Sequence, residues 1–218
     1  MQASRKSPSY TARKRPVQER SRHTVESILE ATSQVLVQRG YEGTTTGAVV
    51  ERAGVSIGTL YQYFPNKESL VVALIERHVE DVLRLVEGAL HQHADDPLEV
   101  GLAAVIRASL DAHRLAPDLH KVLIEQVPRE GKLGKALDLS AHLVALLQVH
   151  FGRRMTHLPP TRLRLLAFVV EATVEALTHR AVVESPWWLT SGALEAEALA
   201  LLTPYLRQAA DSSVSIDR

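Results

Sequence analysis

Between Thr44 and Lys67 the chain reads TTTGAVVERAGVSIGTLYQYFPNK, and its caps, breaks and stops leave little freedom in how it folds. Thr45 is a good N-cap for a helix running to Ala53, because a side-chain oxygen there can accept one of the free N–H groups of the first turn. Gly54 permits the turn, and Ser56 can cap the next helix in the same way. Pro65 stops that second helix, since its ring disfavours helical geometry at Phe64. A connection of about three residues forces two such helices to cross steeply, as in a helix-turn-helix. Val49, Val50, Ala53, Val55, Leu60 and Phe64 are spaced to pack the pair against a preceding helix. What the second helix has left over is Ser56, Gly58, Thr59, Tyr61, Gln62 and Tyr63, a face that is small, hydroxylated and aromatic.

The remainder of the chain is patterned for helices alone. From Ser21, the residues Val25, Ile28, Leu29, Thr32, Val35 and Leu36 fall on one helical face, and Gly40 is placed to end it. Asn66 caps a long helix whose apolar positions include Leu70, Leu74, Val82, Val86 and Leu90. After the break at Asp95-Asp96-Pro97, helical patterns run over about 98–114, 117–127 and 132–152. Leu158-Pro159-Pro160 precedes a helix to about Val183, and Ser185-Pro186-Trp187-Trp188 separates it from a last one over about 191–208. No period-2 strand and no repeat emerges. The fold class is all-α, with about nine helices.

Composition bounds the chemistry. The chain is 45% hydrophobic, enough for a core, and has no cysteine, which rules out disulfides and thiolate chemistry and is compatible with a reducing cytoplasm. Neither a signal peptide nor a membrane span is visible: the most apolar stretch, Leu163 to Val183, is broken by Arg164, Glu171, Glu175, His179 and Arg180. Ten histidines show no His-x-x-x-His spacing, so neither a metal site nor a cofactor is expected. A Gly-x-Ser-x-Gly elbow and a phosphate loop are also missing, which points away from an enzyme. The net charge of zero conceals an asymmetry. Residues 1–67 hold ten Lys and Arg against five acids, leaving fifteen against twenty for the rest. Any polyanion should meet the front of the chain.

On that basic front, the outer face of the second short helix reads as a DNA-contacting surface. Gly58 allows close approach, Thr59 and Gln62 can bond base edges or phosphates, and Tyr61 and Tyr63 reach phosphates or thymine methyls. Lys67 adds a positive end to a favourable helix N-terminus, and Thr45, Thr46 and Ser56 complete the candidate DNA-binding set. The stretch closely resembles the tetracycline-repressor (TetR) family of bacterial transcriptional regulators, through Gly40-Tyr41, Thr44-Thr45-Thr46, Ala53-Gly54-Val55-Ser56, Gly58-Thr59-Leu60-Tyr61, Tyr63-Phe64 and Asn66-Lys67-Glu68. The resemblance covers about residues 21–82. Ala48 departs from it where an acidic residue is usual, and Val50 where alanine is usual.

The resemblance implies a cytoplasmic homodimer that places two recognition helices in successive major grooves of a palindromic operator. Heads of that kind must sit roughly 34–36 Å apart, so a small movement breaks the register. It further implies release of DNA by a small-molecule ligand, most often in a repressor. The expected organisation is a disordered basic tail (1–19), a helix-turn-helix domain (20–66, the motif itself at about 45–64), a helical ligand-binding and dimerisation domain (67–210) and a disordered tail (211–218). The tail at 1–19 either adds to DNA binding or is a solubilising arm. Candidate pocket residues are Leu102, Ile106, Leu110, His113, Leu123, Gln126, Leu143, Leu147, Phe168, Glu171 and Glu175. The last two, in an apolar helix, pair either with a cationic ligand or, the favoured alternative, with Arg or His across the dimer. Candidate dimer contacts are Leu166, Val170, Val174, Leu177, Leu199, Leu202 and Leu206. The competing reading is a small-molecule carrier or enzyme that keeps the head as a vestigial bundle.

Overall fold

The computed structural model describes residues 19–211. Among these residues it contains nine α-helices and a short 3-10 helix, with no strand, so the chain is all-α. The helices are α1 (Glu19–Gly43), α2 (Thr46–Ala53), α3 (Ile57–Tyr63), α4 (Lys67–Gln92), α5 (Leu98–Arg114), α6 (Pro117–Glu125), α7 (Arg129–Gly152), α8 (Pro160–Glu184) and α9 (Ala193–Asp211). The 3-10 turn, Pro186–Leu189, lies between the last two. The tails expected at 1–19 and 211–218 lie outside the described residues, except that Glu19 and Asp211 are already helical.

The chain forms two compact units that are not consecutive stretches: the first runs to His78 and takes in Asp118–Lys135, and the second comprises Val79–Pro117 and everything from Ala136. The first unit is built on the apolar stripe of α1. Ile28, Leu36, Val49, Leu60 and Leu70 are wholly buried there, with Phe64 and Leu74 nearly so. Thr32 sits on the same stripe without an energetic penalty, because its hydroxyl donates to the Ile28 carbonyl at 2.7 Å. Gly40 breaks the helix with φ 67°, a left-handed conformation that a side chain would strain, and a single further turn reaches Gly43. Asn66 and Ser69 cap α4 reciprocally: the Ser69 N–H donates to Asn66 Oδ1 at 2.8 Å and the Asn66 N–H to Ser69 Oγ at 3.3 Å. Helix α6 and the residue that follows it, Gln126, make specific polar contacts within this unit. Tyr41 N–H donates to Gln126 Oε1 at 3.0 Å, and His120 Nε2 lies 3.0 Å from His78 Nδ1.

The second unit packs α5, α8 and α9 around Leu102, Ile106, Leu166, Val170, Val182, Leu189, Leu202 and Leu206. Two ion pairs cross from α5 to α9, Arg107 to Glu195 at 2.6 Å and Arg207 to Glu99 at 2.7 Å. Both involve exposed arginines, so they fix register more than they add stability. Gly101, in the middle of α5, is explained by what lies over it: a Cβ there would come within 2.5 Å of His150 Nε2. Arg154, just beyond α7, donates to the carbonyls of His93, Ala94 and Asp96, which supplies partners to the turn that follows α4.

Candidate nucleic-acid interface

The α2–α3 pair is held by local hydrogen bonds of the kind its sequence calls for. Thr45 Oγ1 accepts from Ala48 N–H at 3.1 Å and caps α2. Gly54 closes that helix at φ 66°, ψ 28°, its N–H bonding the Val50 carbonyl, and Val55 N–H bonds the same oxygen at 3.2 Å. Ser56 Oγ accepts from Thr59 N–H at 3.0 Å and lies 2.8 Å from Thr59 Oγ1. With its ends satisfied, α3 keeps one side for the core, where Leu60 is fully buried and Phe64 is 1% exposed.

The other side carries Ile57, Gly58, Tyr61 and Gln62, all exposed, with Thr59 half-buried at its edge. Tyr61 is steered by Thr46, whose hydroxyl lies 3.3 Å from the phenol oxygen. No residue of α3 is charged, so nothing on it repels a polyanion. Gly58 is informative: a Cβ there would meet only Ser56 Oγ, at 3.8 Å. The chain's own packing does not demand glycine at that position, and its effect is to flatten the outward surface.

Two candidate contacts have other surroundings than the sequence suggested. Tyr63 is only 8% exposed, because it follows Leu60 by three residues and turns with it toward the core. Lys67 is also largely withdrawn, its side chain 20% exposed. Its Nζ donates to the Tyr41 carbonyl at 3.0 Å, lies 4.1 Å from the centre of the Tyr41 ring and 4.0 Å from the Glu42 carboxylate. Lys67 thus ties the start of α4 to the turn after α1. Thr45 and Ser56 are exposed but their hydroxyls serve as caps. Ile57, at 45% exposure, belongs to the outer face and was missed. The available signal was that its position lies off the Leu60–Phe64 stripe.

The eleven candidate pocket residues do not gather in one place. Leu123 and Gln126 lie in the first unit, where Gln126 is hydrogen-bonded to Tyr41, and the other nine lie in the second. Leu102, Ile106, Leu110 and Leu147 are core residues at 1–2% exposure, and Leu143 is half-buried. His113 is buried, its Nδ1 2.8 Å from the Ser109 carbonyl, and burial holds its pKa down at about 4. Glu171 is buried and Glu175 lies one turn further on, its side chain 45% exposed. A cavity of about 580 Å³ does open between α7 and α8, and of the eleven only Phe168 lines it.

The candidate dimer contacts lie mostly inside the chain's own second unit. Leu166 and Val170 are fully buried within the chain's own second unit, and Val174, Leu202 and Leu206 are nearly so, while Leu177 and Leu199 are half-buried. The five buried ones fill the intramolecular core. The large apolar side chains that α8 and α9 leave exposed are Leu165, Phe168 and Leu201, at 45%, 53% and 59%. Helix α8 is apolar on more than one side, so spacing alone could not say which stripe faced inward. Among the described residues no helix is long and apolar enough to cross a membrane.

Comparison with known proteins supplies a context for this geometry. Residues 28–74 match the family model described as bacterial regulatory proteins, tetR family, and residues 97–206 match the tetracyclin repressor-like C-terminal domain, about half of the chain. Among curated relatives, the HTH-type transcriptional activator FasR of Mycolicibacterium smegmatis is 37% identical over 84 residues, which are 38% of this chain and 37% of that protein. The HTH-type transcriptional repressor KstR of the same species is 42% identical over 64 residues, 29% of this chain and 31% of that protein. The chain therefore spans about a third of the length of these two relatives. A solved TetR-family transcriptional regulator from Streptomyces coelicolor is 29% identical with a TM-score of 0.66, covering 86% of this chain and 98% of that one.

Proposed function

The chain belongs to the tetR family of bacterial regulatory proteins, and from that premise we propose that it is a DNA-binding transcriptional repressor acting as a homodimer on a palindromic operator. One observation carries the reading. The outer face of α3 is exposed, uncharged and flat at Gly58, and it stands on a scaffold whose caps and core hold Tyr61 and Gln62 on the outward side. Gln62 supplies an amide that can pair with an adenine edge, and Tyr61 a hydroxyl within reach of phosphate. Lys67 and Tyr63 hold the head together and act on DNA only through its shape.

A head of this size reads a short half-site, so affinity requires a second copy. Leu165, Phe168 and Leu201 on the outer sides of α8 and α9 supply apolar surface for that contact. The names of FasR and KstR carry the words activator and repressor, so likeness to them does not set the sign of regulation. We assign repression because an operator-bound dimer blocks a promoter without any further contact. A small-molecule effector releases the DNA by changing the separation of the heads.

The test is selection of binding sequences from a random duplex pool, followed by anisotropy titrations. Enrichment of a palindrome is the expected result, with Gln62→Ala weakening it about tenfold or more while the circular dichroism and oligomer mass stay unchanged. Failure to enrich any sequence, or full affinity in both Gln62→Ala and Tyr61→Ala, overturns the reading. A promoter reporter decides the sign: activation by the protein would exclude repression.

A further inference from the structure

The outward side of α8 has a regularity that the chain's own core does not impose. Thr161, Leu165, Phe168, Ala172, Glu175 and His179 follow one another at alternating spacings of four and three residues, and each is exposed or half-buried. Leu166, Ala167, Val170 and Val174 take the opposite side and are buried. Alternation of four and three is the repeat of about 3.5 residues along which a second helix can lie. From Thr161 to His179 the stripe is roughly 27 Å long, at about 1.5 Å per residue.

Its large side chains and its charges are arranged to complement a copy of themselves. Phe168, 53% exposed, stands one turn before the small Ala172. Arg164 flanks Leu165 toward one end and Glu175 lies toward the other, both exposed and about three turns of helix apart. Among the described residues Arg164 joins no ion pair, and Glu175 has one, to His179 of its own helix at 3.8 Å. A two-fold axis crossing α8 between Phe168 and Ala172 brings these features together. It sets Phe168 over Ala172 of the partner subunit and carries Arg164 to Glu175 of the partner subunit. A parallel pairing would set each of these charges against its own copy, which like-charge repulsion disfavours. The α7–α8 cavity lies on the same surface, with Thr161, Arg164, Leu165 and Phe168 along one wall. Arg164 is its only charged lining residue, and Ala141 and Ala145 keep the α7 wall low. That shape and that sign suit the Glu175 half of a second α8.

We propose that two copies of the chain pack α8 against α8 antiparallel along this stripe, with Phe168 over Ala172 of the partner subunit, Arg164 paired with Glu175 of the partner subunit, and the α7–α8 cavity filled by that half of the partner helix. This inference rests on the reading of the chain as a homodimer and gives that contact its register. Of the alternatives for Glu175, it selects an arginine across the dimer over a cationic ligand.

The test uses the full chain, which has no cysteine of its own. Analytical ultracentrifugation measures the dimer dissociation constant. Arg164→Glu and Glu175→Arg should each raise it at least about tenfold, because the symmetry repeats every contact. The double variant should bring it back to within about threefold of the unsubstituted protein. Both sites are exposed, so the circular dichroism should not change. Oxidative cross-linking reads the register separately, at concentrations where the proteins stay dimeric. Leu165→Cys mixed with Ala176→Cys should form a disulfide-linked pair, and neither variant should do so alone. Cross-linking of Leu165→Cys to itself overturns the proposal. So does a dimer indifferent to both charge reversals, a double variant no tighter than the singles, or a chain that stays monomeric. Operator binding is measured on the same samples. A dimer of this register that selects no DNA sequence would sink the regulator reading and spare the interface, while selected DNA with both charge-reversed variants still fully dimeric would sink only the interface.

Discussion

Helices α3 and α8 both present residues outward and residues inward, yet they do so under different physical rules. In α3 the two sides differ in kind apart from Ile57: Leu60 is fully buried, while Gly58, Tyr61 and Gln62 are exposed and not aliphatic. In α8 they do not. Leu165 and Leu166 are neighbours of identical chemistry, one 45% exposed and the other completely buried. A helix with contrasting faces announces its orientation, and a helix apolar all round takes its orientation from what it packs against.

The largest effect that can break this contrast is expected at Leu166. Leu166→Ala should cost about 2–5 kcal/mol of stability, because it opens a cavity in the second unit. Leu165→Ala should leave the stability of the single chain within about 0.5 kcal/mol and show its cost in the monomer–dimer equilibrium instead. The loss at Leu166 should not depend on protein concentration. A concentration-dependent loss would mean that Leu166 is a subunit contact after all.

Acid should act next most strongly, and on the second unit. Burial holds His113 and His150 down at about pH 4, with Arg154 and Arg153 contributing at His150. Unfolded histidine takes up a proton near pH 6.5, so between 6.5 and 4 the unfolded chain binds more protons than the folded one. The stability these groups contribute is complete above pH 6.5 and is lost as pH falls toward 4, on the order of 3 kcal/mol each. Unfolding midpoints across that window check it, and His150→Gln should flatten the slope. A slope as steep as before would remove His150 from the account.

Smaller effects belong to the head. Ser56→Ala removes the cap from Thr59 N–H and should cost about 1 kcal/mol, read by chemical denaturation. Gly58→Ala should leave stability unchanged or raise it by up to about 1 kcal/mol, since helix propensity improves and no atom of the chain blocks the new methyl. DNA affinity should nonetheless fall. Equal loss of stability and affinity at Gly58 would mean that the glycine serves the fold alone.

Much of the head was legible because its devices are local. Thr45, Gly54, Ser56 and Asn66 each act on backbone groups within four residues, and the structure has each of them doing so. Tyr63 and Lys67 have surroundings that the sequence did not suggest, because those surroundings are less local. The Lys67 partner, Tyr41, is 26 residues earlier, and Tyr63 turns inward through its three-residue spacing from Leu60. Gln126 was grouped with the pocket, while its hydrogen bond to Tyr41 spans 85 residues and assigns it to the head. In the second unit the helices themselves were placed to within a few residues, but not the roles of their side chains.

The sequence by itself determined an all-helical chain with a capped pair of short helices between Thr44 and Lys67, because caps, glycine turns and proline stops act over a single turn of backbone. The tertiary structure alone decided which leucines of α8 became core, that residues of α6 belong with the head, and that Glu171 is buried while Glu175, one turn on, is not. Those outcomes depend on contacts between residues tens of positions apart, where many apolar side chains are interchangeable and only packing distinguishes them.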